Sequence, residues 1–427
     1  ATGYTKYAGD LSLPNMAYLC MLHSKIPHGY VKAVHAEKAL ALPGVYGVYH
    51  CLNTSERKYN RYRSSFDQAY LANEERAFNQ YVRFVGDKIG AVAACDQETA
   101  EKAARLVEVE YEELPFSIGF DDTFAGKNCL DGETPVRDEY TLEVGKKQES
   151  TEGLIEVCST MELPRLHHAT METHACIADY DPYIDMLTVY CPNQAVHGIR
   201  TVLADFLEMP ESHVRVVKAT MGGSFGAKQE WFLEPVTALV AKKLCRPVKL
   251  VYSRGEAMTD TIVRGAMRMS TRGYYTPDGE MKKIYCDVTL DAGAYIGNAG
   301  DYVRALAGKP TRCYRIPYMH YHGQVISSNS PVSGAFRSWS AAEEALMMER
   351  QLDAAAEKLG MDRLAIRLKN VARSGEEDKK LHLSLEDIRI GDAITLGSEK
   401  FGWDKLKAED AAFNASQQRY RRGCLLY

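Results

Sequence analysis

Three glycines within five positions constrain this chain more than any other feature. The sequence Thr-Met-Gly-Gly-Ser-Phe-Gly-Ala-Lys at 220–228 follows an apolar, strand-like run at 213–219 and precedes a helical run at 230–245. Strand, glycine turn and helix are therefore expected in succession. Gly222, Gly223 and Gly226 open positive φ to the backbone and let a second group approach the main chain closely. Amides gathered at such a turn, beside a helix N-terminus, make a cradle for oxyanions, although a turn without a ligand uses the same glycines. Two well-known phosphate loops do not fit. A P-loop needs Gly-Lys-Ser/Thr, whereas Ala227 precedes Lys228 and Gln229 follows it. The dinucleotide pattern Gly-x-Gly-x-x-Gly is absent as well.

The rest of the chain bounds the setting of that loop. Its 427 residues are 45% hydrophobic and 26% charged, which fits a globular protein of two or three domains. A net charge of −5, with no basic cluster interleaved with aromatics, argues against a nucleic-acid surface. No apolar run approaches membrane-spanning length and no signal peptide is visible. The eleven cysteines are scattered singly without a Cys-x-x-Cys pair, which counts against zinc ribbons, redox dithiols and iron–sulfur ligation in this chain. Cys20, Cys95 and Cys245 in apolar company read as buried free thiols of a reducing compartment, so a cytoplasmic location is expected.

Strands are expected at 18–23, 45–49, 89–94 and 107–111. Between the last two, Asp96 is placed to cap a helix whose Ala100, Ala103, Ala104 and Val107 share one face. Residues 119–153, polar and without clear periodicity, read as a linker. Beyond it, 186–190 and 247–252 read as strands, and Ile199, Val202, Leu203 and Phe206 as the core face of a helix. A long helix is expected over 341–359, stopped by Gly360, and a second over 361–371. The chain opens on Ala1, and 421–427 reads as a strand just beginning, which together predict a cut or split polypeptide.

Several constellations could carry chemistry. His167, His168, Glu172 and His174 are the densest group of ligand-capable side chains. A metal reading would use His168, Glu172 and His174, but the His-Glu-x-x-His order is missing, so satisfied structural histidines are expected. Gln194 lies where a strand ends and a helix begins, a position that suits either a ligand pocket or a helix cap. Arg304 stands alone in a mild stretch. Residues 333–339 set Phe336, Arg337 and Trp339 directly before the long helix, one guanidinium and flat rings suited to a planar, partly anionic molecule.

Taken in order, these pieces resemble the molybdenum-binding subunit of the xanthine dehydrogenase/aldehyde oxidase family, over nearly the whole chain. The segments 7–10, 41–45, 82–87 and 108–115 are similar to the family's a/b hammerhead domain. Gln194, the loop 222–228 and the loop 335–337 are similar to the glutamine, glycine loop and arginine loop of its first molybdopterin-binding domain. The resemblance implies an α+β fold with the hammerhead domain at 1–118, the linker at 119–153 and the molybdopterin-binding domain at 154–427. It implies that Gln194, Gly222, Gly223, Ser224, Phe225, Gly226, Phe336 and Arg337 hold molybdopterin, with Gln194, Phe225 and Arg337 around the molybdenum. By motif position Gln229, Arg304 and Trp339 would line the substrate pocket. Gln229 stands where purine-oxidising members carry a glutamate, and Trp339 where they carry a stacking phenylalanine. Ser338, Ser340 and Ala341 replace usual glycines, and Glu343 a usual glutamine.

The function implied is hydroxylation of a heteroaromatic or aldehyde carbon with oxygen from water. The family's base, a glutamate, belongs to a second molybdopterin-binding domain, so no catalytic residue is expected in this chain and the chain alone is expected to be inactive. The [2Fe–2S] and FAD centres are expected in partner subunits. A non-catalytic scaffold subunit without molybdenum, or an unrelated nucleotide- or metal-binding protein, are the rival readings.

Overall fold

The computed structural model describes residues 2–62, 73–126, 130, 134–147, 150–416 and 419–423. Its largest sheet has seven strands, in the order Val214–Lys218, Met186–Cys191, Ala175–Asp181, Val248–Val251, Ala17–His23, Lys88–Ala94 and Val45–His50. The parallel pairing of Ala17–His23 with Val248–Val251 joins the N-terminal region to the later one, with Ala17 opposite Val248 and Leu19 opposite Leu250. Every position of Lys88–Ala94 is buried. A strand covered on both faces cannot alternate polar and apolar residues, which accounts for its run of small and aliphatic side chains.

A second sheet has five strands, in the order Ile155–Leu163, Ala266–Tyr275, Met281–Gly293, Tyr318–Ser327 and Val136–Gly145. The long helix Ala341–Leu359 lies on it, and its Met347, Met348, Leu352, Ala355 and Ala356 share one core with Met267, Met269 and Ile284. Each fully buried Leu, Met or Ile there contributes about 1.5–3 kcal/mol. A three-stranded sheet of Tyr81–Val82, Gly29–His35 and Glu108–Glu113 completes the N-terminal part.

The expected helices are present with their caps. Asp96 accepts a hydrogen bond from the Thr99 amide at 2.7 Å and starts Gln97–Ala104. Ile199, Val202, Leu203 and Phe206 are all buried on Val196–Phe206. Gly360, at φ +65°, ends Ala341–Leu359 in the left-handed conformation. Asp362 caps Arg363–Asn370, which is shorter than the expected 361–371 because Asp362 bonds the amides of Leu364 and Ala365.

Four expectations are corrected. Cys95 and Cys245, expected to be buried, are exposed, and Cys20 is only half-buried. The helical run at 230–245 begins only at Glu234, with Pro235 in its first turn. The Trp231 indole donates to the Asn60 carbonyl at 2.7 Å and the Phe232 amide to Glu234 Oε2 at 3.1 Å, which keeps 230–233 out of the helix. The glycine loop is thus not the immediate N-terminus of a helix. Residues 119–153 are more than a linker, because Val136–Gly145 pairs antiparallel with Tyr318–Ser327 along its whole length. Its inner side chains Tyr140, Leu142 and Val144 alternate with exposed Glu139, Thr141 and Glu143, the charged habit of an edge strand. At the other end, 424–427 lie outside the described residues, 421–423 form no strand, and the helices Ile390–Phe401 and Trp403–Ser416 precede them. Among the described residues no helix is long and apolar enough to cross a membrane.

Candidate functional site

The strand Val214–Lys218 delivers the chain to the glycine loop, where Tyr7 forms a bridge with Thr220. Glu172 anchors the loop's start: its amide donates to the Gly222 carbonyl at 3.2 Å, and its Oε2 accepts from the Gly222 amide at 2.7 Å. The same oxygen pairs with Lys228 Nζ at 2.6 Å, closing the loop on itself. Gly223, Phe225 and Gly226 all have positive φ, at +98°, +55° and +104°. A phenylalanine in that region is strained, and strain of this kind gathers at binding sites. Gly226 meets a second loop: a Cβ there would stand 2.7 Å from the Ala335 carbonyl carbon and closer still to its oxygen. Only glycine lets these two backbones touch.

Four main-chain donors result. Among the described residues no acceptor faces the amides of Gly223, Ser224, Phe225 and Gly226. The Ser224 hydroxyl donates to Gln194 Oε1 and accepts from the Lys228 amide at 3.1 Å, while the Gln194 amide donates to the Lys228 carbonyl at 2.7 Å. Gln194 is thereby fixed at the loop with its side chain exposed. A row of unpaired amides beside a carboxamide suits a ligand rich in acceptor oxygens.

The second loop is held from several sides. His168 Nε2 donates to the Ala335 carbonyl at 2.8 Å, and its ring lies 4.3 Å from that of Phe336. The Arg264 guanidinium covers the same Phe336 ring at 4.3 Å and donates to the Arg337 carbonyl at 2.9 Å. It also stands 2.6 Å from Glu343, a charge contact without hydrogen-bond geometry, since neither Glu343 oxygen has a hydrogen-bond partner. From behind, Glu230 Oε1 accepts from Asn298 Nδ2 at 2.7 Å and from the Ala335 amide at 3.4 Å. Burial pushes the Glu230 carboxyl up to about 8. The Arg337 side chain itself is exposed.

The histidine cluster is structural. His174 Nε2 donates to the Ala227 carbonyl at 3.0 Å and His167 Nε2 to that of Ala257 at 2.9 Å, as His168 does to Ala335. With Glu172 taken by Lys228 and Gly222, no group of three metal-ligating side chains forms among the described residues. Burial pushes His168 and His174 down to about 4, so both rings are neutral near pH 7.

Of the three residues expected along the substrate wall, Arg304 is drawn to a partner of its own. Trp339 lies half-buried with its ring 5.3 Å from that of Tyr302 and 6.3 Å from that of Tyr62. The Gln229 amide donates to the Gly226 carbonyl at 3.1 Å, which keeps this residue at the glycine loop. Arg304, by contrast, pairs with both carboxylate oxygens of Asp138, the second at 2.9 Å, and lies 5.4 Å from the Tyr140 ring. Tyr302 and Arg304 are two positions apart on the helix Ala299–Ala307 and so leave it on different faces. Tyr302 takes the face toward Trp339. Arg264 and Glu230, which hold the second loop, were not singled out from the sequence. Nothing local distinguishes a charge that tertiary packing will bury.

The model of the molybdopterin cofactor-binding domain matches residues 133–371, more than half of the chain. The a/b hammerhead domain of aldehyde oxidase and xanthine dehydrogenase matches residues 2–115. The chain belongs to this family. Its α+β fold and its molybdopterin cofactor follow, and the match beginning at 133 places Val136–Gly145 with the later region. The chain is 29% identical to the xanthine dehydrogenase molybdenum-binding subunit of Escherichia coli O157:H7, over 96% of its own length and 55% of that protein's. It is 30% identical to the nicotinate dehydrogenase large molybdopterin subunit of Eubacterium barkeri, over 87% of this chain and 86% of that one. The structure of quinoline 2-oxidoreductase from Pseudomonas putida 86 superposes with a TM-score of 0.89 at 23% identity, over 97% of this chain and 54% of that one. The chain thus spans about half the length of the xanthine dehydrogenase relative.

Proposed function

We propose that this chain forms one half of the cofactor cage, and part of the substrate wall, of a molybdenum hydroxylase acting on a heteroaromatic or aldehyde carbon with oxygen from water. The observation that carries the reading is the contact of Gly226 with the Ala335 carbonyl, beside four amides without acceptors. These residues fit molybdopterin: the amides of 223–226 and the Gln194 carboxamide supply donors for its oxygens, and Arg337, exposed on the adjoining loop, supplies a cation. When bound, the group supplies two-electron redox and oxygen-transfer chemistry.

The chain's own residues orient and enclose. Phe225, strained at the apex, and Phe336, held between His168 and Arg264, border the cage. Gln229 offers a donor and an acceptor where a carboxylate would offer acceptors alone, so the substrate it favours differs from a xanthine. Trp339 provides a flat wall. Arg304, spent on Asp138, has no part in the pocket. The base that takes a proton belongs to a second molybdopterin-binding domain or subunit, so the isolated chain does not turn over. Iron–sulfur and FAD subunits complete the electron path. Cytoplasm is the proposed location, since every described cysteine is a free thiol.

The test is elemental analysis of the chain purified from its native host with whatever accompanies it. About one molybdenum per chain, together with iron and flavin, is expected. An intact multi-subunit complex without molybdenum would overturn the reading in favour of a scaffold subunit.

A further inference from the structure

Three successive non-glycine residues, Ser338, Trp339 and Ser340, have φ of +79°, +43° and +64°. A left-handed residue with a Cβ is strained, so such a run persists only where its surroundings impose it. Four restraints are local: the Trp339 amide donates to the Phe336 carbonyl at 2.9 Å, the Ala341 amide to the Ser338 carbonyl at 3.1 Å, the Glu344 amide to the Ser340 carbonyl at 3.0 Å, and Ser338 Oγ accepts from the Ala342 amide at 3.2 Å. A further one, the only restraint on the Trp339 carbonyl among the described residues, comes from elsewhere in the chain. Lys309 Nζ donates to the Trp339 carbonyl and, at 2.5 Å, to Ser340 Oγ.

Lys309 is well placed to impose the turn. It is half-buried, and its own amide is tied to the Leu306 carbonyl at 3.3 Å, at the end of the helix that presents Tyr302. One stretch of chain, 302–309, therefore supplies both the ring against which the indole lies and the cation that pins its main chain. Burial lowers the pKa of the Lys309 amine, and the buried Glu344 and Glu343, in the first turn of Ala341–Leu359, offset part of that in favour of the charged form. Tyr62 closes the aromatic group from the N-terminal region, its ring inclined 31° to the indole.

We propose that Lys309 is a positioning residue that holds the left-handed turn at 338–340, presents the Trp339 indole as a fixed plate, and so tilts the site toward planar ring substrates over small aldehydes. The substrate half of this proposal rests on the hydroxylase reading. Without the ammonium, the turn relaxes toward ordinary φ and the indole leaves its place between Tyr302 and Tyr62. Arginine can donate to the same two oxygens, whereas methionine fills the space without donating.

The experiment uses the complete complex carrying Lys309→Met, Lys309→Arg or Trp339→Phe. Two readouts are taken: acrylamide quenching of tryptophan emission, with Trp339→Phe identifying the Trp339 contribution, and kcat/KM for a bicyclic nitrogen heterocycle against a short aliphatic aldehyde. Lys309→Met is expected to increase quenching of Trp339 and to lower the heterocycle-to-aldehyde ratio about three- to tenfold, the loss of one ring–ring contact, with Lys309→Arg restoring both. Unchanged quenching overturns the positioning role. Increased quenching with an unchanged ratio, or a lowered melting temperature alone, overturns the role in selectivity. A complex with no molybdenum and no turnover would defeat the hydroxylase reading, and the quenching, which needs neither metal nor substrate, would still decide whether Lys309 fixes the indole.

Discussion

Gly226 carries the tightest residue-level constraint in the site, because its missing Cβ is the space taken by the Ala335 carbonyl. Gly226→Ala therefore separates the two loops, and the φ of +104° adds backbone strain of about 1–3 kcal/mol. The expected result is a stable chain in urea that has lost most of its molybdenum; full metal content would remove Gly226 from the cage. Lys228 and Glu172 form the lock beneath the same loop, with side chains only 1% and 14% exposed. Lys228→Met strands a largely buried carboxylate and is expected to cost about 3–5 kcal/mol in urea unfolding, whereas a loss below about 1 kcal/mol would assign the pair to the ordinary surface class. The pH dependence has two arms. His168 and His174, depressed from 6.5 to about 4, contribute stability that is lost as pH falls from about 6.5 toward 4, because the unfolded chain binds those protons first. Glu230, raised from 4.5 to about 8, contributes stability that is lost as pH rises through that interval. Above the histidine arm, between about pH 6.5 and 8.5, urea midpoints for Glu230→Gln should therefore fall less than those of the wild type; equal slopes would show that Glu230 is not the titrating group.

At the scale of the elements, boundaries follow caps. Asp96→Ala removes the acceptor for the Thr99 amide and should destabilise the fold by about 0.5–2 kcal/mol. Gly360→Ala isolates a pure backbone effect, since nothing lies within 4 Å of the added Cβ while φ is +65°; about 1 kcal/mol in thermal or urea unfolding is expected. Both caps were visible in the sequence because a cap depends on residues three or four positions apart. The edge strand Val136–Gly145 was not, because charged side chains on its solvent face cover a real alternation. The late start of Glu234–Leu244 was invisible for another reason: the apolar run continues through Trp231 and Phe232, and long-range hydrogen bonds from Trp231 to the Asn60 and Arg61 carbonyls hold that part out of the helix.

For the molecule as a whole, the seven-stranded sheet makes the N-terminal region and the later one a single structure. Its core includes Leu19, Phe84 and Ala91 from the first and Cys176, Leu203, Val236 and Leu250 from the second. One cooperative unfolding transition by calorimetry and by circular dichroism is the consequence, and removal of residues 2–115 should leave the remainder aggregating through the bared edge of Val248–Val251. Two well-separated transitions would contradict the shared core. The boundary read between 1–118 and 154–427 marks a change of sequence pattern; the sheet that crosses it is a property of pairing across more than two hundred residues.

What the sequence alone determined is therefore of one physical kind. Periodicity, capping residues, glycines and the ordered motifs at Gln194, 222–228 and 335–337 act over a few positions, and they were enough to read most of the elements and the family. The tertiary structure decided where charges go. Arg304 turned to Asp138 because its helix gives the neighbouring face to Tyr302; Arg264, Glu230 and Lys309 closed on the second loop from distant parts of the chain. Burial and charge pairing depend on which segments meet, and that information is absent from any local window of sequence.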